Sequence, residues 1–177
     1  LLGPSVMPPQ PDGIWSVVYS GQKWKTDTGA NRYRRGLYTF WRRTSPYPSM
    51  ETFDVPSREF CVPRRIRTNT PLQALVTLND PAFVEAARAM AKRLVSEGGT
   101  EVSDKLAYGF KLALARVPKP AEIDRLAKAY QDEVTYYTDH QEQAVSLSGH
   151  TDAAVEYAAW TAIANIFLNL DETLTRE

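Results

Sequence analysis

The chain has 177 residues, 43% of them hydrophobic and 24% charged, with 21 basic and 21 acidic side chains that cancel to zero formal charge. That balance fits one globular domain of ordinary size, or a core with an appended irregular segment, and argues against a general polyanion binder. A single cysteine, Cys61, leaves no internal disulfide and no CxxCH haem-attachment site, and no twenty-residue apolar run suggests a membrane span.

The opening LLGPSVMPPQ lacks an initiator Met, a basic n-region and a signal-type core, so it reads as the middle of a longer protein. Pro4, Pro8, Pro9 and Pro11, with Gly3, Gly13, Gly21 and Gly29, exclude continuous helix over residues 1–32 and favour extended chain. IWSVVYS, residues 14–20, is the first ordered candidate, as a short strand or a helical turn. Residues 33–43, with Leu37, Tyr38, Phe40 and Trp41, are too short for periodicity to separate strand from helix. From Thr44 to Pro63 four prolines impose an irregular, extended path, and so long a loop is usually functional or pinned to the core.

Helix signals become clear at residue 69. Thr70, followed by Pro71 and by Gln73 three positions on, predicts a capping box with proline at the first helical position. Asp80 before Pro81 repeats the device, so helices at about 71–78 and 81–96 should meet at Asn79-Asp80. The second carries an apolar stripe of Phe83, Val84, Ala87, Met90, Ala91, Leu94 and Val95 and ends at Gly98-Gly99. A third, about 101–116, buries Val102, Leu106, Phe110, Ala113 and Leu114. After the break at Pro118 and Pro120 a fourth turns Ile123, Leu126, Ala127, Tyr130 and Val134 inward. Residues 138–151 are polar and include both histidines; the last helix, about 152–170, is apolar almost all round and belongs at the centre of a bundle.

The expected fold is therefore mainly α. A bundle of about five helices, residues 70–177, carries an irregular Pro/Arg/aromatic-rich arm, residues 1–69, packed against it as one structural domain. Charge divides along the same line. Residues 1–69 hold eleven basic and five acidic groups, net +6, and residues 70–177 hold ten and sixteen, net −6. Pairing between the halves is the simpler reading, and a basic surface for an anionic ligand the sharper one. Arginine outnumbers lysine nine to two in the first 69 residues, which suits fixed bidentate pairing.

RRGLYTFWRRT, PSMETFDVPSRE, RTNTPLQALVTLNDPAFVEAA and the closing LNLDETLTRE together resemble the signature of domain of unknown function 1553, a C-terminal domain common in planctomycete cytochrome-c-containing proteins. GPSVMPPQPDGIW fits the same pattern, as does YGFKLALARVP at residues 108–118 in place of the family's AFRxxLGRxP element. The resemblance implies an exported protein, periplasmic or at the cell surface, found in settings of polysaccharide breakdown. This chain would be its C-terminal part, with a c-type haem in an upstream domain and no cofactor here. It carries no catalytic residue onto this sequence.

Arg42, Arg43, Arg58, Arg64, Arg65 and Arg67 lie close to Asp54 and Glu59 in sequence. They form either a salt-bridge lattice that holds the arm down or an anion pocket in which guanidinium forks grip carboxylate or sulfate. Cation–π stacking on Tyr38, Trp41 or Tyr47 suits both. Trp15, Trp24, Trp41, Tyr33 and Tyr47 are either aromatic anchors or a sugar-stacking platform, which would need exposed, coplanar rings. Cys61, with Arg64 and Arg65 nearby, is a buried small hydrophobe or an activated thiol. His140 and His150 have no metal-site spacing and read as solvated. Asn69, Thr70, Gln73, Asn79 and Asp80 cap helices, with Asn69 and Asn79 left for bonds to the arm. No GxSxG, Walker or HExxH pattern is present. The reading is a structural or ligand-binding module whose partners are the upstream domains and an acidic or sulfated glycan, with no nucleic acid. The alternative is an enzyme acting on polysaccharide or a redox substrate, its site completed by the upstream domain.

Overall fold

A computed structural model describes residues 3–15, 21, 23–64, 66 and 68–175. Among these, eight α-helices follow in order: α1 Pro48–Thr52, α2 Pro71–Asn79, α3 Pro81–Glu97, α4 Val102–Leu114, α5 Pro120–Asp139, α6 Gln141–Ser148, α7 Ala154–Leu168 and α8 Asp171–Leu174. No strand forms among the described residues; Val6 and Thr39 share one isolated bridge. The protein is mainly helical, as expected. In residues 33–43, which periodicity left open between strand and helix, one 3₁₀ turn forms at Gly36–Tyr38, and another, Gly29–Tyr33, ends at the first of them. Most of IWSVVYS, residues 16–20, lies outside the described residues.

The chain divides into two compact units, residues 1–82 and 83–177. Helix α2 therefore groups with the proline-rich arm, because Gln73 within it bonds to Thr52, Asp54 and Thr68. The Thr44–Pro63 path is also not wholly extended. Pro48 sits at the first helical position of α1, where its fixed φ favours the helix and its missing N–H costs nothing.

In the second unit α7 is the central element, in contact with α4, α5, α6 and α8. Its alanines 154, 158, 159 and 164 are buried and let neighbouring helices approach closely, while Trp160, Ile163 and Phe167 fill the space beyond them. Phe167 meets Phe110 of α4 edge to face, with centroids 5.1 Å apart at 84°, and Tyr130 of α5 packs on Trp160 at 4.4 Å. Helix α6 occupies a segment read as a polar connection. Its buried residues are the small Ala144 and Ser148, and Arg88 of α3 donates to its last carbonyls, Leu147 O at 2.6 Å and Ser146 O at 2.8 Å. Arg93, Glu97 and the Tyr108 hydroxyl join α3 to α4, and the guanidinium beside it draws the Glu97 carboxyl below its usual range.

The prolines after α4 turn the chain so that Arg116 reaches Glu122 in the first turn of α5. The pair is bidentate, at 2.8 and 2.9 Å, and Arg116 also donates to Glu172 of α8 at 2.7 and 2.9 Å. Hydrogen bonds from Arg116 and from the Lys119 N–H lower Glu122 from 4.5 to about 2. An acid depressed in this way contributes stability above the unfolded value, and that contribution disappears as pH falls through the folded one. The unfolding temperature should therefore drop between pH 5 and pH 2, and Glu122→Gln should flatten that drop in a calorimetric pH series.

Candidate functional site

The first unit is assembled by side chains that reach backbone carbonyls. A proline-rich segment has few N–H groups and cannot build its own ladder. Tyr38 O accepts from Val6 N–H and Val6 O from Phe40 N–H, both at 2.8 Å. The Asp27 carboxylate accepts from Met7 N–H at 2.6 Å, and Met7 O accepts from Asp27 N–H at 2.8 Å. The next carbonyls are taken by polar aromatic groups: Trp24 Nε1 donates to Pro8 O at 2.9 Å and the Tyr47 hydroxyl to Pro9 O at 2.5 Å. Arg34 donates to Pro4 O at 3.1 Å while its guanidinium lies 3.7 Å above the Tyr38 ring.

Tyr47 is thus an anchor, 8% exposed, and burial, with Asp80 adding to it, pushes its phenol up to about 12. Trp15 meets Trp24 at 5.2 Å and 65°, and Trp24 stacks on Tyr47 at 5.8 Å. These three rings form a cluster and not a coplanar exposed row. Tyr33 is 68% exposed and Trp41 half-buried.

Asp54, expected beside the arginines, has other partners. It accepts from Thr68 N–H at 2.9 Å, Thr68 Oγ1 at 2.7 Å and Gln73 Nε2 at 3.4 Å. Its left-handed backbone, φ 57°, is one that aspartate tolerates better than most residues. Gln73 is buried and completes the Thr70 capping box. Asp80 accepts from Ala82 N–H at 2.9 Å at the start of α3 and from Ser49 Oγ at 3.3 Å. Asn79 turns its amide back onto Leu75 O at 2.8 Å, and Asn69 is exposed. Asp27 was not singled out from sequence; nothing short-range marks its bond to a backbone twenty residues away.

The arginines separate into distinct settings. Arg42, half-buried, donates to Thr44 Oγ1 at 3.1 Å and lies 5.3 Å from the Trp15 ring. Arg58 is exposed, takes a left-handed φ of 65° and sits 4.9 Å above Trp41. Arg43 and Arg64 are exposed, and Arg65 and Arg67 lie outside the described residues. Among the described residues no carboxylate pairs with Arg43, Arg58 or Arg64. An open cleft of about 320 Å³ beside Trp41 is lined by Arg43, Glu51, Val55, Ser57 and Glu59.

Cys61 is exposed, not a buried hydrophobe. His140 stacks on Tyr136 at 4.2 Å and His150 on Tyr157 at 4.4 Å, and both are exposed. No group of three or more His, Cys, Asp or Glu fit to hold a metal occurs among the described residues.

These features define a mainly helical protein whose arm exposes Arg43, Arg58 and Arg64 and packs its indoles. Residues 1–130 match the family described as PSD1, protein of unknown function (DUF1553), and the chain belongs to that family. The matched region takes in Arg116 and Glu122 and stops short of the closing LNLDETLTRE. No curated protein and no solved structure matches the chain.

Proposed function

We propose that the chain is a non-catalytic binding module of an exported multidomain protein, and that the arginine–tryptophan surface of its first unit takes an acidic or sulfated glycan. The observation that carries this reading is Arg58, an exposed guanidinium held over Trp41 with no carboxylate partner among the described residues. Stacking fixes the plane of the fork and leaves its N–H edges for carboxylate or sulfate oxygens. Exposed Arg43 lines the cleft that Trp41 also borders. The first unit holds eleven basic and six acidic residues, so its net field also attracts anions. Glu51 and Glu59 in the same cleft favour pairing with spaced single charges over bulk attraction to a dense polyanion.

Calorimetric titration tests this with a uronate-bearing and a sulfated polysaccharide against a neutral one. The charged polymers should bind at low salt and weaken as ionic strength rises past about 0.15 M, where exposed charges are screened beyond about 8 Å. Arg58→Ala combined with Arg43→Ala should lower affinity by about tenfold or more while leaving thermal unfolding nearly unchanged, since both side chains are exposed. Equal binding by the variant, or none by the native chain at low salt, rejects the proposal.

A further inference from the structure

We infer that the ligand of the Trp41 cleft is zwitterionic, a saccharide that carries an ammonium group on the same ring as its carboxylate or sulfate, or on the adjoining one. The inference rests on the anionic reading above and narrows it to one class of glycan.

The cleft holds both signs of charge. Arg43 lines it together with Glu51 and Glu59, and all three side chains are exposed. Among the described residues no ion pair joins them to one another or to any other side chain, and neither carboxylate accepts a hydrogen bond. Arg58, over the Trp41 ring that borders the cleft, brings a second cation. Two guanidinium groups therefore face two carboxylates that they do not neutralise by contact.

A purely anionic ligand would meet both arginines and both acids. Exposed charges attract and repel by similar amounts, so the acids would offset much of what the arginines supply. An ammonium on the ligand turns that repulsion into attraction and uses all four groups. A metal ion is a poorer match for the acids. Calcium takes six to eight oxygens, and no group of three or more His, Cys, Asp or Glu fit to hold a metal occurs among the described residues. The volume, about 320 Å³, is near the lower end for small-molecule sites, so both ligand charges must come from one ring or from neighbouring rings.

Hyaluronan and its N-deacetylated form provide the test, because they share one uronate backbone and differ in carrying an acetamide or an ammonium. Calorimetric titration of the full chain is run at about pH 6, where a free amine is charged. The deacetylated polymer should bind about threefold tighter or more, the scale of one or two exposed charge pairs. Bulk attraction to the basic unit predicts the reverse order, since deacetylation lowers the polymer's net negative charge. Glu51→Gln combined with Glu59→Gln changes only exposed side chains. It should abolish the preference and bind hyaluronan itself more tightly than the native chain does. Arg43→Ala with Arg58→Ala should weaken both polymers, and so reports on the anionic reading. Equal or weaker binding of the deacetylated form, or a preference that survives in the Glu51→Gln, Glu59→Gln chain, overturns the inference and leaves the anionic surface standing. Absence of binding by both polymers at low salt overturns the two together.

Discussion

Replacing Phe167 with alanine is expected to destabilise the helical unit by about 3–5 kcal/mol, the usual cost of emptying a fully buried aromatic position. The ring is 0% exposed and packs on α4, edge to face with Phe110. Its neighbour there is Gly109, where a methyl group would fall 2.5 Å from Phe167 Cε2 and 2.7 Å from Cζ. Alanine gains about 1 kcal/mol over glycine inside a helix, so Gly109→Ala would stabilise an unconstrained α4. Here the buried ring cannot withdraw, and overpacking should turn the change into a net loss of about 1–3 kcal/mol. The two substitutions should then be coupled, because Phe167→Ala removes the atoms that the new methyl meets. Urea unfolding of both single variants and the double variant should show the double loss smaller than the sum by about 1–3 kcal/mol. Strict additivity would mean that Phe167 does not hold position 109 to glycine.

The helices were legible in the sequence because their signals are local. Thr70, Pro71 and Gln73 announce the start of α2 within four residues, and the capping box is present. The nearly uniform apolar pattern of residues 152–170 points to the central α7. Helix α6 escaped because its buried face consists of Ala144 and Ser148, too small and too polar to make a stripe. The arm was legible only as composition. Its order comes from bonds such as Tyr47 to Pro9 and Trp24 to Pro8, which span 38 and 16 residues and have no period.

Net charges of +6 and −6 suggested pairing, but a count assigns no partners. Asp54 bonds to a threonine and an amide, whereas Arg116 satisfies its guanidinium with Glu122 and Glu172 inside the acidic half. The spacing of Arg116 and Glu122 around Pro118 and Pro120 could have revealed that pair, since the prolines end one helix and start the next between them.

Gln73→Ala should lower the stability of the first unit by about 2–4 kcal/mol, more than the loss of a helix cap, typically about 1 kcal/mol. Gln73 is 2% exposed, and its Nε2 lies 2.9 Å from Thr52 O, 3.0 Å from Thr68 Oγ1 and 3.4 Å from Asp54 Oδ2. Its Oε1 accepts from Thr70 N–H at 3.0 Å. Alanine therefore removes the donor that joins α1, the Asp54 loop and the entry to α2. Thr70→Ala removes only the cap and supplies the comparison. Three of the four tryptophans precede residue 82, so fluorescence-detected unfolding reports mainly on this unit. Gln73→Glu gives a sharper signature. It keeps the acceptor for Thr70 but turns a second oxygen toward Thr52 O and the Asp54 carboxylate, where the ionised form is disfavoured. An acid raised in the folded state binds more protons there than in the unfolded chain, so the variant should gain stability as pH falls from 8 to 5. That slope is opposite in sign to the contribution of Glu122. Equal losses from Gln73→Ala and Thr70→Ala, with a flat pH response in Gln73→Glu, would reduce Gln73 to a cap.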